Sequence, residues 1–147
     1  MREFIGFLGV AIENKLTLHP SIRQDLGYLW NEYCSDESRI NFATEEDDST
    51  EWVGEKYILW PSSGYFNPRL TTWLYNNDQG EIILEVAPSY RWHFQDPKPG
   101  ERYYTYAEFI KNYQPVLFRI IPKEIAKGWI NQAQGLLQEV EARTCQI

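Results

Sequence analysis

The sequence predicts an α+β fold: an antiparallel sheet of four to five strands packed by N-terminal and C-terminal helices, in a single domain spanning 1–147. Three observations carry that expectation. Residues 70 to 76 and 81 to 87 alternate in side-chain character and flank Asn77-Asp78-Gln79-Gly80, whose last residue tolerates positive φ, so they read as an antiparallel hairpin. Ile125, Trp129, Ala133, Leu136, Leu137 and Val140 form an apolar stripe at helical spacing near the C-terminus. With 147 residues, 43% of them hydrophobic, the chain can bury roughly 70% of its unfolded surface and needs neither metal nor disulfide to hold a core.

The elements follow in order. Phe4, Leu8, Ile12 and Leu16 fall at helical spacing; Gly6, Gly9, Ile5 and Val10 fit a strand as well, and the helix is the reading adopted. Ser21 and Gln24 form a capping-box pattern ahead of Ile22, Leu26, Leu29 and Tyr33, which predicts a helix over 22 to 34. The stretch 35 to 51 is polar, with Ile40 and Phe42 alternating as a short strand would, and Glu45, Glu46, Asp47, Asp48 and Glu51 make it an exposed acidic loop. Tyr57 to Trp60 is a strand stopped by Pro61-Ser62-Ser63-Gly64, and Asn67-Pro68 punctuates the chain again before the hairpin.

Beyond the hairpin, Pro88 ends its second arm, and Tyr90, Trp92 and Phe94 alternate with Arg91 and His93 as in one more strand. Asp96-Pro97-Lys98-Pro99-Gly100 then forces a loop. Thr105 and Glu108 form a capping box, with Tyr104 placed to close on Phe109, which predicts a helix over 106 to 113. Val116 to Ile121 reads as a buried strand, and Pro122 suits the first position of a long helix that covers the sheet.

Charge narrows the partners. The formal net charge of −7 repels phosphate backbones, and no Lys/Arg block forms a local exception, so no nucleic-acid partner is expected. The longest apolar run, Phe4 to Ile12, is too short to cross a bilayer and lacks the flanks of a signal peptide, so no membrane partner is expected, the chain is read as starting at Met1, and its location as cytoplasmic. Cys34 and Cys145 permit a single bridge but are read as free cytosolic thiols, because the core is large enough without one, and no redox or nucleophilic role is expected since neither lies in a CxxC pair or beside a histidine.

No motif carries chemistry. His19 and His93 stand far apart without metal-ligand spacing, and neither GxSxG nor a glycine-rich phosphate loop occurs, so neither a metal nor any other cofactor is expected and no catalytic residue is assigned. Asp78 and Glu85 resemble in spacing the paired acids of restriction-type, metal-dependent nucleases, but Ala87 stands where that motif carries lysine. Asp78 is therefore read as a turn former and Glu85 as a solvated outward residue of the hairpin.

What remains is an aromatic-rich β region with arginines among the rings. Tyr65, Phe66, Arg69, Trp73, Tyr90, Arg91, Trp92 and His93, together with Glu45, Glu46, Asp47 and Asp48, are the candidate binding residues, since Tyr, Trp and Arg dominate interface hot spots. The expected function is a non-enzymatic protein-interaction module of inhibitor or immunity type, using an uncovered aromatic sheet face and the acidic loop to bind a protein with a basic surface. The alternative is a small-molecule binder or enzyme whose pocket Tyr65, Phe66, Arg69, Arg91 and His93 frame.

Overall fold

Asn77 starts the hairpin turn: its Oδ1 accepts from the backbone N–H of Gln79 (3.1 Å) and of Glu81 (2.9 Å), and its Nδ2 donates to the Glu81 carboxylate (2.7 Å). Gly80 closes the turn at φ 75°, a conformation open to glycine at no steric cost. The computed structural model of the chain describes residues 1–22, 25–35, 52–61, 69–93 and 95–144. Its helices are α1 (Arg2–Ile12), α2 (Leu26–Ser35), α3 (Tyr106–Lys111) and α4 (Lys123–Thr144). The strands β1 (Ile58–Trp60), β2 (Leu70–Asn76), β3 (Ile82–Pro88) and β4 (Leu117–Ile121) form an antiparallel sheet in the order β1-β2-β3-β4, which is an α+β architecture.

The chain divides into two compact units. The first comprises 1–18, 74–84 and 119–147, where α1 packs on α4 around Leu8, Ala11, Ala126 and Ala133. Asn76 is its buried polar node. The side chain accepts from Leu16 N–H (3.0 Å) and donates to the Ala11 carbonyl (2.9 Å), tying the end of β2 to the segment leaving α1. Both groups of a buried amide are thereby satisfied.

The second unit comprises 19–73 and 85–118, with Leu26, Tyr57, Leu59, Trp73, Ala87 and Tyr90 at its centre. Strand β1 pairs with β2 through Ile58–Trp73 and Trp60–Thr72, with an irregularity between the two pairs. Helix α3 has the predicted capping box: Thr105 Oγ1 accepts from Glu108 N–H, and the Glu108 carboxylate accepts from Thr105 N–H. Tyr104 stacks near Phe109 as expected, with ring centroids 6.5 Å apart.

Several expectations need correction. Helix α2 starts at Leu26 rather than at 22, because Asp25 is its cap: Asp25 Oδ1 accepts from Tyr28 N–H at 2.7 Å, while Ile22 N–H closes a separate turn on the His19 carbonyl. Residues 91 to 93 form a 3₁₀ turn in place of a further strand. Strand β2 is buried from Thr71 to Asn76, on both its faces, so the hairpin has no wet aromatic side there. Strand β4 was expected inside, yet Phe118, Arg119 and Ile120 are exposed. Helix α4 turns Ala126 and Ala133 inward and leaves Ile125, Leu136 and Val140 about half exposed, so only part of its predicted stripe is core. The predicted acidic loop, the Ile40/Phe42 strand, Gln24 and Cys145 lie outside the described residues, and Cys34 sits half-buried on α2.

Candidate functional site

Of the residues expected to bind, Trp73 is fully buried and Tyr90 nearly so, and neither can form an exposed contact. Tyr90 is a hub. Its N–H donates to Asn31 Oδ1 (2.6 Å) and its hydroxyl to the Tyr104 carbonyl (2.9 Å), while its ring meets those of His93, Tyr104, Tyr106 and Phe109 at centroid distances of 4.9 to 5.7 Å. Burial, the largest cause, pushes its phenol well above the usual tyrosine range, so it stays protonated. An aromatic-rich stretch read as surface is therefore the packing between the 3₁₀ turn and α3.

The charged members of that stretch are engaged as well. Arg91 Nη2 lies 2.6 Å from Glu101, with its guanidinium 4.6 Å above the Trp92 ring. Glu101 also accepts from Lys98 N–H (2.8 Å), so Arg91 closes the 98 to 101 turn, in which Gly100 takes φ 85°. Arg69 Nη2 donates to Gln95 Oε1 at 2.6 Å. Tyr65, Phe66, Glu45, Glu46, Asp47 and Asp48 lie outside the described residues, so the pocket expected around Tyr65, Phe66, Arg69, Arg91 and His93 is seen only in part.

His93 sits between Tyr90 and Tyr106, and burial lowers its pKa to about 4 against a smaller opposing effect from Asn31. The unfolded chain then binds more protons than the native one between that value and the ordinary histidine pKa, so native stability rises with pH across the window. Denaturant midpoints measured from pH 4 to pH 7 should climb. In His93→Gln the part of that climb near pH 5 to 6 should flatten, and an unchanged slope would remove His93 as its source.

A joint that sequence reasoning missed lies at the start of α2. Glu85, expected to face solvent, is fully buried. Its two carboxylate oxygens accept from the N–H groups of Leu26 (3.2 Å) and Gly27 (2.7 Å), the first turn of α2, where the helix dipole favours negative charge. Gly27 permits this approach: a Cβ there would stand 2.2 Å from Ala87 Cβ and 2.4 Å from the Tyr113 hydroxyl. Tyr113 donates to Asp25 Oδ1 at 2.5 Å, and burial first, then that bond, raise its pKa far above the usual value. Asn31 completes the joint by donating to the carbonyls of Gly27 (2.8 Å) and Pro88 (2.9 Å). The sequence reading set the cap at Ser21 and missed Asp25, although Asp is a favoured N-cap residue, and nothing local points to a carboxylate 59 positions away.

Two further features lie at the surface. One is a groove of about 570 Å³ lined by Arg102, Tyr104, Glu108, Phe109, Tyr113 and Gln114, with Pro88 and Asn112. The other is the row Val116, Phe118 and Ile120, which are 60%, 50% and 54% exposed. Phe118 and Ile120 alternate along β4, the outer strand of the sheet, and so share one side of it, and Val116 stands just ahead of the strand. The sequence reading took 116 to 121 as a buried strand, because a run that is apolar at every position but Arg119 has the pattern of one.

His19 is taken up by its own turn, with Nδ1 2.7 Å from Ser21 Oγ. Among the described residues, no three His, Cys, Asp or Glu side chains stand together as a metal site requires, and no helix is long and apolar enough to cross a membrane. The chain matches no protein-family model, no curated protein and no solved structure.

Proposed function

We propose that this protein is a non-enzymatic interaction module whose contact surface is the apolar row of β4 rather than the aromatic hairpin. The observation that carries the reading is the exposure of Phe118 and Ile120 on an outer strand, with exposed Val116 just ahead of it. Two large apolar side chains on one side of an outer strand, with a third at its start, form a patch of the kind that marks partner binding. The net charge of −7 sets the partner's sign: a protein with a basic surface is drawn in over a Debye length and the apolar row then holds it. An inhibitor or immunity-type role is one form of such binding.

The test is capture of partners from the native extract by the wild-type chain and by the double variant Phe118→Ser/Ile120→Ser. Both side chains are about half exposed, so each substitution should cost about 1 to 2 kcal/mol, and the melting temperature of the double variant checks that it remains folded. The reading expects a captured protein rich in Lys and Arg, lost in the double variant and weakened as salt is raised. Capture that survives both treatments would remove β4 as the contact surface.

A further inference from the structure

We infer that the groove beside α3 receives an arginine or lysine side chain of the basic partner, between its aromatic walls and the carboxylate of Glu108. This rests on the interaction reading above and adds a second, chemically distinct contact to it.

Three observations carry the inference. First, the groove is built in advance. Tyr113 is anchored through its hydroxyl to Asp25, Tyr104 through its carbonyl to Tyr90, and Glu108 through the N–H (2.7 Å) and hydroxyl (3.1 Å) of Thr105, so little ordering is left for a ligand to supply. Second, its walls are Tyr104, Phe109 and Tyr113, with Phe109 and Tyr113 inclined at 66° and 6.0 Å between centroids. Aromatic rings attract cations through their quadrupole, Arg most often. Third, Glu108 stands in the same lining as a fixed negative charge, because the backbone N–H of Thr105 holds its carboxyl below the ordinary range.

Among the described residues, Arg102 is the one cation of the lining, and it is exposed. Its charge acts on Glu108 and so competes with an incoming cation. An exposed arginine side chain has rotamers that reach solvent, whereas the rings and the Thr105-bound carboxylate are held by the bonds above. The volume, about 570 Å³, exceeds one side chain and leaves room for the adjoining backbone of the partner, which Gln114 can meet with its amide.

The experiment titrates the intact chain with N-acetyl-arginine amide and with tetramethylammonium, and with benzoate as the anionic counter-probe, reading the chemical shifts of Phe109, Asn112 and Gln114. Both cations should bind. Glu108→Gln keeps the side-chain geometry that a capping box accepts and should weaken them about fivefold, and Phe109→Leu about threefold. Arg102→Ala should strengthen them roughly twofold as the competing charge is removed. Binding of benzoate alone, or cation binding indifferent to Glu108→Gln in a variant with wild-type melting, overturns the assignment. Phe118→Ser/Ile120→Ser should leave probe binding intact, so a failed groove and a failed β4 surface give different patterns.

Discussion

Gly27→Ala is expected to destabilise the protein by about 3 kcal/mol, which at this chain length lowers the melting temperature by roughly 10 °C. The added methyl would sit 2.2 Å from Ala87 Cβ and 2.4 Å from the Tyr113 hydroxyl. Neither neighbour can give way cheaply: Ala87 lies within β3, and Tyr113 is tied to Asp25. Moving α2 outward instead would stretch the bonds from Leu26 and Gly27 to Glu85. A double-mutant cycle separates the causes. Ala87→Gly in the Gly27→Ala background should recover part of the loss, and Tyr113→Phe another part, whereas strictly additive effects would show that the clash is not where the structure puts it. Thermal melting of the six proteins, wild type, the three single variants and the two doubles, is the measurement.

Glu85→Ala should cost about 4 kcal/mol, the largest loss expected from one substitution. The change leaves two buried helix N–H groups without their acceptor and opens a void in a fully buried position. Glu85→Gln keeps the volume and one acceptor oxygen but turns an amide NH₂ toward a donor, so its loss should be about half as large. Chemical denaturation gives both values. A Glu85→Ala protein as stable as wild type would mean that α2 is not held through its N-terminus.

The contrast between those positions and the hairpin shows what a sequence makes legible. Asn77 to Gly80, the Thr105–Glu108 box and the length of α4 are local: each is decided by residues within about four positions and by φ preferences or cap bonds that act at that range. Glu85 is different. Alternation along β3 marked it as outward, and the side it faces does lie opposite Leu84 and Val86, yet that side is occupied by the first turn of α2, which supplies the N–H groups that make a buried carboxylate tolerable. Such a pairing lies in tertiary packing, where intrinsic pattern carries no information.

Two residues of the expected site, Trp73 and Tyr90, are core for the same reason. Trp73 and Tyr90 carry the residue types of hot spots, but aromatic side chains serve cores equally well, and β2 is covered on both faces. Tyr90 to His93 looked extended because its apolar residues alternate; Ser89 N–H bonds to the Arg69 carbonyl and Tyr90 N–H to Asn31, and the chain then turns as a 3₁₀ segment. Conversely, Val116, Phe118 and Ile120 looked like core and lie outside. Composition identified the side chains available for binding, and topology decided which of them reach the surface.

Replacing Phe118 with a photo-crosslinking benzophenone amino acid in the living cell tests the interaction surface most directly. Leu136, similarly exposed on α4, provides the matched control position. Irradiation should give one discrete adduct from position 118, to a protein rich in Lys and Arg, that fades as salt is raised in extracts and is absent from position 136. No adduct from position 118, or the same adducts from both positions, would contradict β4 as the contact surface.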